Sequence, residues 1–124
     1  MGYDVHIVRT PDWVDAEKNP ITKSDVDALI DRDRELSWST SDFVDMKDRQ
    51  TGTLVRYFCI AWNGQPCFWL YRAEVRCKNP KEAQIAKMVT MARALRAYVV
   101  GDDKERYELR RSLLGREKVV IIRP

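Results

Sequence analysis

Apolar and polar positions follow several distinct periods along this chain. Tyr3, Val5 and Ile7 alternate with Asp4 and His6, the period-2 pattern of a half-buried strand over Tyr3–Val8. Pro11 ends that strand. The charged stretch from Asp12 to Pro20, closed by Asn19-Pro20, reads as a loop. A short helix over about residues 23–33 follows. Thr22 is its N-cap, Asp25 sits at N3 to complete a capping box, and Ile21 and Val26 occupy the positions of a hydrophobic staple. Its thin stripe of Val26, Leu29 and Ile30 predicts a surface helix. Leu36 to Asp48 mixes Ser, Thr and Asp with Trp38, Phe43, Val44 and Met46. It reads as a short strand near Phe43–Lys47, with turn residues from Asp48 to Gly52.

Two β-branched and aromatic runs, Thr53–Trp62 and Gln65–Cys77, flank Asn63-Gly64, the pair suited to a type I′ hairpin turn. If Trp62 pairs with Gln65 and the register is regular, Ile60 faces Cys67 and Phe58 faces Trp69. One face then holds Leu54, Phe58, Ile60, Trp62, Trp69, Tyr71 and Val75 as core. The other face is mixed, with Val55, Tyr57 and Phe68 beside Arg72, Glu74 and Arg76. Pro66 falls opposite Ala61, where a missing N–H costs little.

Asn79 as N-cap, Pro80 at N1 and Glu82 as a capping-box partner predict a long helix over about residues 80–97. Its buried stripe is Ala83, Ile85, Met88, Val89, Met91, Ala92 and Leu95, with Lys81, Lys87, Arg93 and Arg96 largely outside. Tyr98–Val100 reads as a short strand before the Gly101-Asp102-Asp103 turn. Glu105–Leu114 reads as a helix stopped by Gly115, and Lys118–Ile122 as a last strand. The expected architecture is one α+β domain over residues 1–124. In it an antiparallel sheet of about 4–6 strands has the long helix packed on one face.

Composition agrees with a chain that folds on its own. An apolar fraction of 44% with four Trp, five Tyr and three Phe in 124 residues excludes a disordered chain. Three cysteines, Cys59, Cys67 and Cys77, with no CxxC pair, argue against a disulfide framework and a zinc site, and read as small buried hydrophobes. The opening residues have no signal-peptide pattern and no apolar run approaches the ~20 residues of a membrane span, so the expected location is a reducing cytoplasm.

Charge changes the picture more. Residues 1–50 hold 7 basic and 12 acidic side chains, and residues 51–124 hold 15 and 7. Asp25, Asp27, Asp31, Asp33 and Glu35 lie on the short helix and its exit, followed by Trp38, Asp42, Phe43 and Asp45. An acidic surface with aromatic anchors suits the steering and holding of a basic protein. Against this stands the plain reading of a solvated helix and a loop whose aromatics turn inward. The basic C-terminal segment, Arg106, Arg110, Arg111, Arg116 and Lys118, with Arg93 and Arg96 nearby, has the character of a phosphate-binding patch. Glu105, Glu108 and Glu117 interrupt it, and no nucleic-acid-binding signature accompanies it.

For catalysis the candidates are few. His6, the sole histidine, shares a strand face with Asp4, which would orient a general base, yet no nucleophile stands in evident reach. Asp102 and Asp103 are adjacent carboxylates able to bind a cation, but Gly-Asp-Asp is also an ordinary turn. No phosphate-loop, zinc-protease or serine-hydrolase motif is present, and no cofactor is implied.

Gly2-Tyr3-Asp4-Val5-His6-Ile7 resembles the opening of a group of small, mostly uncharacterised bacterial proteins that begin Gly-Tyr-Asp-Leu-His-Ile, with Val5 in place of the usual Leu. Pro20-Ile21-Thr22 at a helix entry, Lys78-Asn79-Pro80, and Gly101-Asp102-Asp103 followed by Tyr107 match that group in order and spacing. The match spans most of residues 2–107 and leaves Glu108–Pro124 uncovered. The group is similar to small proteins found beside bacterial toxin genes. The resemblance therefore implies a non-catalytic immunity protein that occludes the active site of a cognate toxin, and it implies no catalytic residues. Since nuclease toxins are usually basic, it directs attention to Asp25 through Asp48. An enzyme using Asp4 and His6, and a nucleic-acid binder using the basic tail, are the alternatives.

Overall fold

In a computed structural model, which describes residues 2–47 and 51–123, the chain is an α+β protein built on one antiparallel sheet. Backbone alone is described for residues 40–46 and 55. The described strands are β1 (Asp4–Val8), β2 (Leu36–Lys47), β3 (Leu54–Trp62), β4 (Gln65–Tyr71), β5 (Glu74–Lys78), β6 (Tyr98–Gly101), β7 (Arg106–Arg111) and β8 (Glu117–Ile122). Their spatial order is β2-β3-β4-β5-β1-β6-β7-β8. The sheet thus has eight strands, more than the four to six expected. Helices α1 (Lys23–Arg32) and α2 (Glu82–Leu95) contribute to a core on one face, and a 3₁₀ helix (Trp13–Lys18) covers part of the other. No helix among the described residues is long and apolar enough to cross a membrane.

Two extra strands, β5 and β7, bring the expected six to eight, and one expected strand is longer than its pattern suggests. β2 runs for 12 residues from Leu36, far beyond the short strand expected near Phe43–Lys47, with an irregularity between Trp38 and Phe43. The stretch Gln65–Cys77 is two strands, doubled back at Arg72-Ala73. Arg72 takes a positive φ of 51° there, a conformation that costs a non-glycine residue roughly 1–2 kcal/mol. Tertiary contacts hold the turn: Ile21 N–H donates to the Ala73 carbonyl at 2.9 Å, and Arg72 pairs with Glu17. The expected helix over Glu105–Leu114 is instead strand β7, joined to β8 by a turn in which Gly115 has φ 82°. Tyr107 and Leu109, two apart, both face the α2 core, so period 2 prevails over the helical reading. Asp12–Pro20, expected as a loop, contains the 3₁₀ helix, capped by Asp12 accepting from Val14 N–H.

The Asn63-Gly64 turn forms as expected, with φ of 51° and 80°. Trp62 pairs with Gln65 and Ala61 with Pro66, but a β-bulge then shifts the ladder, so that Ile60 faces Phe68 and Phe58 faces Leu70. The extra residue is Cys67. Its insertion exchanges the faces of everything beyond it. Phe68 and Leu70 enter the core, whereas Trp69 and Tyr71, expected inside, lie on the opposite face; Leu54 is exposed. Tyr71 there contacts the Tyr57 ring at 4.3 Å between centroids.

The two helices show why capping geometry depends on context. α1 begins as its sequence dictates: the Thr22 hydroxyl accepts from Asp25 N–H, and Asp25 accepts from Thr22 N–H. Ile21 and Val26 are both fully buried. In α2, Asn79 does not cap and Pro80 is not N1. Asn79 holds the start of β1 instead, donating its N–H to the Tyr3 carbonyl at 2.7 Å and accepting from Tyr3 N–H at 2.8 Å. The helix therefore starts at Glu82 and ends at Leu95, shorter at both ends than the expected 80–97. Lys81 is at the N-cap, and its N–H is taken by the Gln84 side chain. Met88, Val89, Met91, Ala92 and Leu95 are buried as expected, packed with Ile60, Phe68, Val5 and Val75, and Ile85 is half-buried; Ala83, expected in the stripe, is exposed because it lies on the outer side of the first turn.

Candidate functional site

β-strand alternation sends Val5 and Ile7 into the helix-side core and His6 and Val8 to the opposite face. On that face β5 presents Glu74 and Arg76 beside His6, because His6 pairs with Arg76 across the ladder. The Gly101–Glu105 turn adds Asp102. The 3₁₀ helix closes over them: the Trp13 indole stacks on the His6 ring, parallel, at 4.7 Å. Trp13 Nε1–H also reaches the Asp102 carbonyl, and Asp12 pairs with Lys104 from the same turn.

The geometry assigns the charge state. His6 Nδ1 lies 2.9 Å from Glu74 Oε1, and Nε2 lies 2.8 Å from Asp102 Oδ1. Two carboxylates can both be satisfied only if both ring nitrogens donate, so the ring is an imidazolium. Burial works against the charge, but the Glu74 and Asp102 hydrogen bonds outweigh it and raise the His6 pKa above its ordinary 6.5. Asp102 is also desolvated, yet hydrogen bonds from Asp4 N–H and His6 hold its carboxyl below the ordinary range. Arg76 pairs with Glu74 from the other side. The expected partnership of His6 with Asp4 is replaced: Asp4 contributes its backbone N–H, to Asp102 at 2.8 Å, and the carboxylates on the ring come from 68 and 96 residues away.

Beside this cluster lies a cleft of about 260 Å³ lined by Trp13, Ala16, Tyr71, Ala73, Glu74 and Arg76 among others. That is below the ~300 Å³ at which small-molecule pockets begin. His6 is 1% exposed, and both its nitrogens are occupied, so a substrate would have to displace an ion pair to reach it. Among the described residues, no three His, Cys, Asp or Glu side chains are placed to hold a metal ion. A second buried carboxylate, Glu105, accepts from the Tyr3 and Tyr107 hydroxyls on the helix side of the sheet, and its Oε1 fills the space above Gly101. Burial and Glu105 push the Tyr3 pKa up to about 12.

The acidic segment is largely engaged within the protein. Asp25 caps α1 and pairs with Arg9 at 3.0 Å. Asp27 accepts from the Trp38 indole at 2.8 Å and meets Lys23. Asp33 and Glu35 both bind Lys87 at 2.7 Å, and Glu35 also accepts from Trp62. Lys87 was expected outside the buried stripe; it is buried instead. Burial disfavours its charge, but hydrogen bonds to Asp33 and Glu35 outweigh that and raise its pKa. Asp31 is exposed. Asp42, Phe43 and Asp45 lie on β2, with side chains outside the described residues, and Asp48 lies outside them altogether. The basic tail forms the β7–β8 hairpin. Arg106 lies over the Tyr98 ring and Arg110 pairs with Glu108 on the same strand.

Comparison with protein-family models, with curated proteins and with solved structures gives no match to this chain. The site must therefore be read from its own chemistry. Glu74, Arg76 and Trp13, which make the His6 cluster, carry no local signal in the sequence, because their adjacency is created by strand order.

That chemistry predicts a pH dependence. A raised His6 pKa means the cluster's contribution is fully present below pH 6.5 and is lost as pH rises through the folded-state value. A lowered Asp102 pKa means its contribution is present above pH 3.8 and is lost on acidification. The stability difference between wild type and His6→Gln is expected to be largest between those two values and to shrink toward alkaline pH. Urea denaturation from about pH 5 to about pH 9 measures it; a difference that grows with pH would contradict the imidazolium assignment.

Proposed function

We propose that the protein is a non-catalytic protein-binding module, an immunity protein that occludes the active site of a cognate bacterial toxin. One observation supports this reading above others: the acidic, aromatic segment forms an edge of the sheet. Among the described residues β2 stands last in the strand order and β3 is its one sheet neighbour, which suits an edge that meets an incoming chain, and α1, which carries Asp31, is tied to it through Asp27 and Trp38. Asp27 accepting from Trp38, and Asp33 and Glu35 binding Lys87, tie α1 and the start of β2 to the body of the protein, and a preformed surface loses less entropy on binding. Enzymatic use of His6 is disfavoured because both its nitrogens are held by carboxylates.

The test is whether a neighbouring gene encodes a toxin domain and that domain co-purifies with this protein, followed by charge reversal at Asp31, Asp42 and Asp45. These substitutions leave the Lys87 and Arg9 pairs intact. The expected result is roughly tenfold or greater loss of affinity and loss of protection in a variant whose circular dichroism shows the fold retained. Full protection by the triple variant would remove this edge as the interface. Retention of binding with a steep salt dependence toward nucleic acid would favour the basic hairpin instead.

A further inference from the structure

The bulge in β4 does more than exchange faces. As the extra residue, Cys67 is turned to the helix side, where it packs against the core cluster that contains Cys77. The β4–β5 ladder pairs Trp69 with Arg76, and this register sets Cys77 alongside the Cys67–Phe68 bulge. The two side chains thus belong to one cluster, near enough for each to alter the other's acidity. From the first turn of α2, Gln84 Nε2–H donates to Cys67 Sγ at 3.4 Å. Cys67 is half-buried and Cys77 buried, so Cys67 is the more accessible of the two.

We propose that Cys67 and Cys77 form a reversible redox-modification site that takes a small peroxide, with Cys67 the attacking thiol and Cys77 the resolving one. The environments of the two sulfurs differ in the sense this needs. Contact with Cys77, and the Gln84 amide, favour the Cys67 thiolate against the cost of its burial; Cys67 and burial push the Cys77 thiol well up, so it stays protonated. The Cys67 thiolate attacks a peroxide oxygen. The S–O bond forms as the O–O bond breaks, and with hydrogen peroxide one water leaves, giving a sulfenic acid. The Cys77 sulfur then attacks the sulfenic sulfur; the S–S bond forms, the S–O bond breaks, and a second water leaves with the Cys77 proton. Two thiols lose two electrons and one peroxide becomes two waters. Cys67 is diagonal to Cys77 across adjacent strands and the bulge turns both to the helix side, so the bond needs only local adjustment at the bulge.

The experiment uses the reduced full-length chain, treated with hydrogen peroxide under native conditions, then alkylated and peptide-mapped. Two of the three thiols are expected to become unreactive, with the Cys67 and Cys77 peptides joined, and dithiothreitol should restore both. Cys59→Ala should behave as wild type. Cys67→Ser should keep its remaining thiols, and Cys77→Ala should stop at a sulfenic acid on Cys67 that dimedone traps. The proposal is overturned if all three thiols stay alkylatable, if the bond involves Cys59 or a second chain, or if it forms only in urea. Trapping in Cys77→Ala keeps the attacking role of Cys67 testable even if the disulfide itself is short-lived.

Discussion

Phe68→Ala is expected to destabilise the protein by about 3–5 kcal/mol, the cost of emptying a large aromatic site in a packed core, while Trp69→Ala costs clearly less. The neighbouring residues separate the bulged register from the regular one. Phe68 is fully buried among Ile60, Met88 and the rest of the helix-side core; Trp69, though larger, is only half-buried and on the other face. A regular hairpin would give the reverse order of costs, because every residue beyond Cys67 would change sides. Urea or guanidinium denaturation of the two single variants decides between the registers. A Trp69→Ala cost equal to or above that of Phe68→Ala would refute the bulge.

Glu74→Ala is expected to cost about 3–5 kcal/mol, because it strips one partner from a buried ion cluster and leaves charge uncompensated. Glu74 is 3% exposed and sits between His6 and Arg76. Its removal leaves the His6 Nδ1–H without an acceptor and turns Arg76 toward a ring that is itself positive. Against a total stability of about 5–15 kcal/mol, that is a large fraction. Glu74→Gln should cost less, since an amide oxygen still accepts from Nδ1, and its penalty should fall at pH values where His6 is neutral. A double-mutant cycle with His6→Ala isolates the pair. Additivity of the two single effects would show that the cluster is not coupled.

The Phe68 register and the Glu74 cluster are both products of tertiary packing. The alternation of Tyr3, Val5 and Ile7 locates β1, but the side chains that charge His6 arrive from β5 and the turn after β6. In the Gly101-Asp102-Asp103 turn, Asp102 has a partner as well as a turn role. The Arg72-Ala73 turn lacks a glycine or Asn-Gly signal, and its positive φ is compensated by Ile21 and Glu17, from the segment before α1. Asn79 has every local attribute of an N-cap, yet its amide is committed to Tyr3, and α2 begins two residues later.

Interactions within a few residues of one another are legible in this chain. The capping box of Thr22 and Asp25, the staple of Ile21 and Val26, the Asn63-Gly64 turn and most of the buried stripe of α2, Met88 to Leu95, follow from local sterics and hydrogen bonding and are present. Equally local is the excess of acid in residues 1–50. Whether that acid is free or paired is a different matter: Lys87 lies more than 50 residues from Asp33 and Glu35, and the fold alone brings them to 2.7 Å. The bulge at Cys67 belongs to the same class. A period-2 pattern cannot reveal an inserted residue, because both faces of that hairpin are rich in apolar groups; the packing of Phe68 against α2 selects the register. Burial of the larger contiguous core and satisfaction of buried charge are properties of the whole sheet, and they place the His6 cluster, bring Cys67 and Cys77 into one core cluster and set β2 last in the strand order.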